Sequence, residues 1–173
     1  MLLKHGADIS KAVNDQQVTA LHHAVVGGFE EVIKLLIGAG AMVDASDQEG
    51  WTPLQDAVLY EHLSAASLLL ELCANIEEAN FHEQTALHWG AFSKDLVLLA
   101  FLIGKGANVN AKNANGETAM HFSASNGDLG VLKQFLEAGA EADIKSNIGQ
   151  TPLFWAAEAG QQSTGNYTPR IQP

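Results

Sequence analysis

Four clusters of apolar residues recur along the chain with the spacing of one helical face. They are Val32, Leu35 and Leu36; Ala65, Leu68 and Leu69; Leu98, Phe101 and Leu102; and Val131, Phe135 and Leu136. Residues three and four apart share one side of an α-helix, so each cluster predicts a helix with a buried stripe. Successive clusters open 33 residues apart. A second landmark keeps the same interval: five of the seven threonines are Thr19, Thr52, Thr85, Thr118 and Thr151. Each begins a short phrase, namely Thr19-Ala-Leu-His22, Thr52-Pro-Leu-Gln55, Thr85-Ala-Leu-His88, Thr118-Ala-Met-His121 and Thr151-Pro-Leu-Phe154. A small residue follows five places later as Ala24, Ala57, Gly90, Ser123 and Ala156. Such a period marks a stacked solenoid, whose units bury their apolar faces only against neighbours.

Each landmark has a physical role. A threonine oxygen can accept an amide left orphaned at a helix start. Pro53 and Pro152 suit the first helical turn, where a missing amide proton costs nothing. The pairs Gly40-Ala41, Gly106-Ala107 and Gly139-Ala140 suit a helix end that needs left-handed backbone; Cys73-Ala74 stands in that place in the second unit. Holding Cys73 left-handed costs roughly 1 kcal/mol or more, which makes this unit a soft point. The unit therefore reads helix, turn, helix, then an extended segment to the next threonine.

These residues resemble the ankyrin repeat: the Thr-Pro/Ala-Leu-His openings, the Gly-Ala closings, and the endings Val43-Asp44-Ala45 and Val109-Asn110-Ala111. The resemblance implies an all-α ankyrin solenoid, helix-turn-helix plus a β-hairpin loop. Residues 1–160 form the repeat domain, with a partial unit at 1–14, full repeats at 15–46, 47–79, 80–112 and 113–145, and a partial unit at 146–160. Residues 161–173 form a polar tail with no repeat character, expected to be disordered. Gly6-Ala7 sits one residue too far from Thr19, which places a one-residue insertion in the first hairpin.

Composition narrows the function. The net charge is −11, and no lysine or arginine lies between Lys34 and Lys94. That interval holds Asp44, Asp47, Glu49, Asp56, Glu61, Glu71, Glu77, Glu78 and Glu83. Such a field repels nucleic-acid phosphates and anionic lipid, and attracts a basic partner. The longest apolar run, 96–103, is far below the ~18–20 residues of a membrane span and fits a buried helix. A lone cysteine fits an intracellular protein, cytoplasmic with the nucleus open to it.

Candidate chemistry is sparse. His22, His88 and His121 occupy one repeated slot, and the resemblance makes them structural ties between units. Stacked units would hold these rings roughly 10 Å apart, too far for one metal. Cys73 has no partner motif that would lower its pKa, and no glycine-rich phosphate loop occurs. No enzyme, metal or cofactor is expected. Asn110, with Leu102 eight places earlier, resembles the substrates of an asparaginyl hydroxylase.

The family binds proteins on a concave side built from hairpin tips and first helices. Carried onto this chain, that surface comprises Val18, Glu49, Trp51, Leu59, Tyr60, Phe81, His82, Gln84 and Phe92, with Gln48, Asn115 and Ile148 beside them. Trp89 and Trp155 follow the histidine slot and read as packing, and Asp56 is unusual in that row. The expected function is a non-catalytic scaffold or adaptor that grips a basic, partly apolar protein segment. The alternative is a spacer or regulatory segment of a larger ankyrin protein whose activity lies elsewhere. Uncapped terminal repeats add a route to end-to-end self-association.

Overall fold

The computed structural model describes Ile9 and residues 15–93 and 95–163. The N-terminal partial unit except Ile9, most of the first hairpin with its expected insertion, and the tail from 164 lie outside the described residues. Nine helices occur among those described: α1 (Ala20–Val26), α2 (Glu30–Gly38), α3 (Pro53–Leu59), α4 (Leu63–Glu71), α5 (Ala86–Gly90), α6 (Leu96–Gly104), α7 (Ala119–Asn126), α8 (Leu129–Glu137) and α9 (Pro152–Ser163). The odd-numbered helices pack in series as one layer, and α1, α3, α5 and α7 each pair with the even-numbered helix that follows.

The core lies between the layers. Ile33 and Leu36, Ala65 and Leu69, Leu98 and Leu102, and Val131 and Phe135 are all buried. The apolar spacing locates most of this stripe, but Val32, Leu35 and Leu136 are exposed. The run 96–103 is also not wholly buried, since Val97 is 65% exposed on α6.

The first helices start on one plan, with variations. Thr19, Thr52 and Thr151 accept the amide three residues on at 3.4, 3.4 and 3.3 Å. In return the slot residue reaches back: His22, His88 and His121 accept the threonine amide on Nδ1 at 3.2, 3.1 and 3.0 Å, and Gln55 accepts that of Thr52 on Oε1 at 3.0 Å. The far end of each side chain crosses to the next repeat. His22, His88 and His121 bond the carbonyls of Trp51, Glu117 and Gln150 through Nε2 at 3.1, 3.2 and 3.1 Å. Gln55 donates to the carbonyl of Gln84 at 2.8 Å and to that of Glu78 at 3.1 Å. A carbonyl only accepts, so Nε2 carries the proton and each ring is neutral. Burial holds all three histidines below their ordinary pKa of 6.5.

The structure corrects one expectation. No β-hairpin or sheet forms among the described residues, where strand pairing amounts to an isolated bridge between Ala79 and Thr85. The tips are tight turns instead. Asp47 Oδ1 accepts the amides of Glu49 and Trp51 at 2.9 and 2.8 Å. Asn80 Oδ1 accepts those of His82 and Gln84, both at 3.0 Å, and Asn113 Oδ1 those of Asn115 and Glu117 at 3.0 and 2.9 Å. These side chains consume amides that a ladder would need. Consecutive tips join by single backbone bonds, as from Phe81 to Glu49 and from Ala114 to His82.

Left-handed backbone recurs on the same grid: Gly28, Glu61 and Gly127 between helices, Gly40, Cys73, Gly106 and Gly139 after second helices, and Gln17, Gly50, Glu83, Gly116 and Gly149 at the tips. Cys73 therefore does keep the conformation of the glycine it replaces, with φ 69°.

Candidate functional site

The sequence-selected residues, on the tips and around the first helices, differ in exposure. Phe81, at a tip, is 74% exposed; Tyr60 and Leu59, at the end of α3, are 50% and 44% exposed; Phe92, beyond α5, is 44% exposed. Glu49 and His82 are exposed tip residues whose carbonyls accept the amides of the following tip. Val18, Trp51 and Gln84, each preceding a threonine, are half-buried. Phe81 lies so close over Gly50 that a Cβ there would stand 2.8 Å from its ring, so the bare glycine seats the aromatic tip.

The structure joins some of these residues through others that the sequence left as packing. Trp51 meets Trp89 with ring centroids 4.5 Å apart, Trp89 meets Phe92 at 5.8 Å, Phe92 meets Phe122 at 5.0 Å, and Phe122 meets Trp155 at 5.7 Å. A continuous aromatic row thus runs from the second repeat to the fifth. Its signal was present in the sequence, because Trp89, Phe122 and Trp155 stand 33 residues apart, one place after the repeated slot. Leu59, Tyr60 and Phe81 lie outside this row of ring contacts.

The electrostatics of the face are one-sided. Asp47, Glu49, Asp56 and Glu83 all lie between residues 35 and 93, a stretch without lysine or arginine. Asp56 occupies the aromatic row's slot in α3, half-buried. Burial, and then the nearby Asp47 carboxylate, push its pKa up to about 7.

No group of three or more His, Cys, Asp or Glu placed to hold a metal exists among the described residues. Both nitrogens of His22, His88 and His121 are already engaged, which leaves no lone pair for a ligand. Cys73 is exposed, just beyond the end of α4. Asn110 Oδ1 accepts the amide of Glu141 at 2.9 Å, so this side chain fastens one repeat to the next. No described helix is long and apolar enough to cross a membrane.

Comparison with known proteins agrees with the geometry. A family model described as ankyrin repeats (3 copies) matches residues 1–80, 40–113 and 87–167. The mouse protein phosphatase 1 regulatory subunit 12A is 43% identical over 68 residues, 39% of this chain and 7% of that protein. Zebrafish (Danio rerio) inversin is 37% identical over 76 residues, 44% of this chain and 7% of that protein. The human BCL-6 corepressor-like protein 1 is 38% identical over 69 residues, 40% of this chain and 4% of that protein. The matched stretches thus span less than a tenth of these relatives.

Proposed function

The chain belongs to the ankyrin-repeat family, and on that premise we propose that it is a protein-binding module whose partner docks on the tips and first helices of repeats two to four. It is a non-catalytic repeat protein. One observation carries the reading: Leu59, Tyr60, Phe81 and Phe92 are large and exposed, at the positions the ankyrin family uses for its concave binding side. Solvent-facing aromatics of this kind act as binding hot spots. The acids around them, with no cation from residue 35 to 93, favour a basic, partly apolar protein segment and speed its approach. The same charge disfavours nucleic acid and anionic membrane surfaces. Recognition is by a rigid surface, without chemistry on the ligand.

The test is a pull-down with wild type and a Trp51→Ala/Tyr60→Ala/Phe81→Ala variant, both checked for helical folding by circular dichroism. A partner held by wild type and lost by the folded variant is the expected result. Equal capture by both proteins overturns this placement of the surface.

A second reading makes the chain a spacer or regulatory segment of a larger ankyrin protein. It is favoured by relatives in which the matched stretch is only 4–7% of the length. End-to-end self-association also has a candidate surface, since Leu136 and Leu153 are 52% and 74% exposed beside α9. Sedimentation at rising concentration tests it, and a strict monomer throughout removes it.

A further inference from the structure

The row that follows the repeated slot reads His23, Asp56, Trp89, Phe122 and Trp155. In the fifth repeat, Trp155 Nε1 donates to Gln150 Oε1 at 2.9 Å, Gln150 being the residue before the threonine. The same register sets Trp51 beside Asp56 in repeat two and Gln84 beside Trp89 in repeat three. There the pairing fails. Gln84 Oε1 is taken by Asn80 Nδ2 at 3.3 Å, and the buried Trp89 Nε1 has no acceptor. The Trp51 ring lies tilted against that indole, at an interplanar angle of 39°. One repeat back, the Asp56 carboxyl receives no hydrogen bond from any described residue, although its oxygens are not sealed from solvent.

Among the described residues, nothing packed around Asp56 supplies a fixed positive charge. Helix α3 packs on α1, α4 and α5. Their titratable groups are His22 and His23 on α1, Glu71 on α4 with His62 just before it, and His88 on α5. His22 and His88 are held neutral by burial, and His62 Nε2 is bonded to the carbonyl of Val26 at 2.9 Å. The nearest charge acting on Asp56 is another acid, Asp47. Asp47 is itself occupied by the amides of Glu49 and Trp51. A half-buried carboxyl with no fixed counter-ion among the described residues destabilises the free protein when ionised, and is relieved by taking up a proton or by a cation from outside.

We propose that Asp56, together with the Trp51 ring, forms an anchor subsite for one cationic side chain of a protein partner, with arginine preferred to lysine. Guanidinium is planar, stacks on indole, is weakly hydrated and stays charged at any working pH, so it suits a partly buried acid flanked by tryptophan. This inference rests on the proposed binding face and specifies its charge-reading position. It also makes binding pH-dependent, because Asp56 must ionise to receive the cation.

The experiment uses a library of random 12-residue peptides displayed on phage, panned against the full chain at pH 8. Enriched sequences are then synthesised and titrated by fluorescence. Arginine is expected in the enriched set, and changing it to glutamine should weaken binding to wild type by about tenfold or more, as for close interfacial charge pairs. Against Asp56→Asn that change should have little effect, and the pH dependence through about 7 should disappear. Asp56→Asn removes a strained charge, so it is expected to fold at least as well as wild type. Peptides lacking a cation, or equal losses against wild type and Asp56→Asn, overturn the anchor. If those same peptides still need Tyr60 and Phe81, shown with Tyr60→Ala/Phe81→Ala, the wider binding face survives. Peptides indifferent to all these changes, or no enrichment at all, overturn both.

Discussion

Repeat two (47–79) and repeat four (113–145) share one backbone plan and differ at the positions that define it. The slot that ties each repeat to the next holds Gln55 in one and His121 in the other. The row beside it holds Asp56 against Phe122. The left-handed positions hold Glu61 and Cys73 against Gly127 and Gly139. The second helix begins at His62 without a side-chain cap in repeat two, and at Asp128, which caps two amides, in repeat four. Around the first helices, repeat two shows Trp51, Leu59 and Tyr60 where repeat four shows Glu117, Ser125 and Asn126. Repeat four follows local stability rules, and repeat two breaks several of them where its exposed aromatics stand. Local inconsistency concentrated at one place is the pattern expected of a working surface.

The largest effects should come from the inter-repeat ties. Removing either His121 or Gln55 by mutation to alanine leaves buried backbone groups unpaired on both sides. Each change should cost roughly 2–4 kcal/mol in urea unfolding at pH 7.5. The two then separate with pH. His121 has its pKa lowered by burial, so its contribution is complete above 6.5. Below that value the unfolded chain takes up the proton before the folded one does, and stability falls. The penalty of His121→Ala should therefore shrink at pH 5, while that of Gln55→Ala stays constant. Equal pH behaviour would mean that the imidazole is not held neutral.

Much of this contrast is legible in the sequence. The threonine grid fixes where first helices start, because capping is local chemistry within four residues. The left-handed positions follow from Gly40, Gly106 and Gly139, and Cys73 is recognisable as their equivalent. What stayed hidden depends on contacts between repeats. The tips look like hairpins until Asp47, Asn80 and Asn113 are seen taking the amides that would pair. The aromatic row was visible as spacing, but its continuity needs Phe92, which lies off the slot and bridges Trp89 to Phe122. The exposure of Val97 was hidden for a related reason. An all-apolar helix shows no polar face in its sequence, so only packing reveals which side is left uncovered.

A smaller effect, of opposite sign, is expected at Asp56. Its folded pKa is raised from 3.8 to about 7. The unfolded chain therefore releases the proton as pH passes 4, while the folded chain retains it until about 7, and stability declines across that window. Replacing Asp56 by leucine, closer to the Phe122 of repeat four, should raise stability at pH 7.5 by on the order of 2 kcal/mol, after discounting for partial exposure. The gain should disappear near pH 4, where the carboxyl is neutral in both states. A gain that persisted at pH 4 would assign the effect to packing instead of charge.

The finest distinction lies in the left-handed residues, where two pairs of substitutions act as mirror images. Cys73→Gly and Glu61→Gly move repeat two towards repeat four, whereas Gly139→Ala and Gly127→Ala move repeat four towards repeat two. A Cβ built on Gly139 or Gly127 meets nothing within 4 Å, so the alanine variants suffer only backbone strain. That strain is about 1 kcal/mol for a side chain held at positive φ. Glycine also gives the unfolded chain more freedom to lose on folding, which trims the gain of Cys73→Gly and the loss of Gly139→Ala alike, so the two should be similar in size. Glu61→Gly has a further opposing term, since Glu61 Oε1 accepts a hydrogen bond from Ser93 at 2.9 Å. Its gain should be the smaller of the two. Gly116→Ala is a poor mirror for Glu83→Gly, because a Cβ on Gly116 would stand 2.4 Å from Asn147 Oδ1. Urea midpoints that rise for Cys73→Gly and fall for Gly139→Ala would locate the softness of repeat two in its backbone. No gain for Cys73→Gly would mean that repeat two tolerates the conformation without strain, leaving Asp56 as its main local weakness.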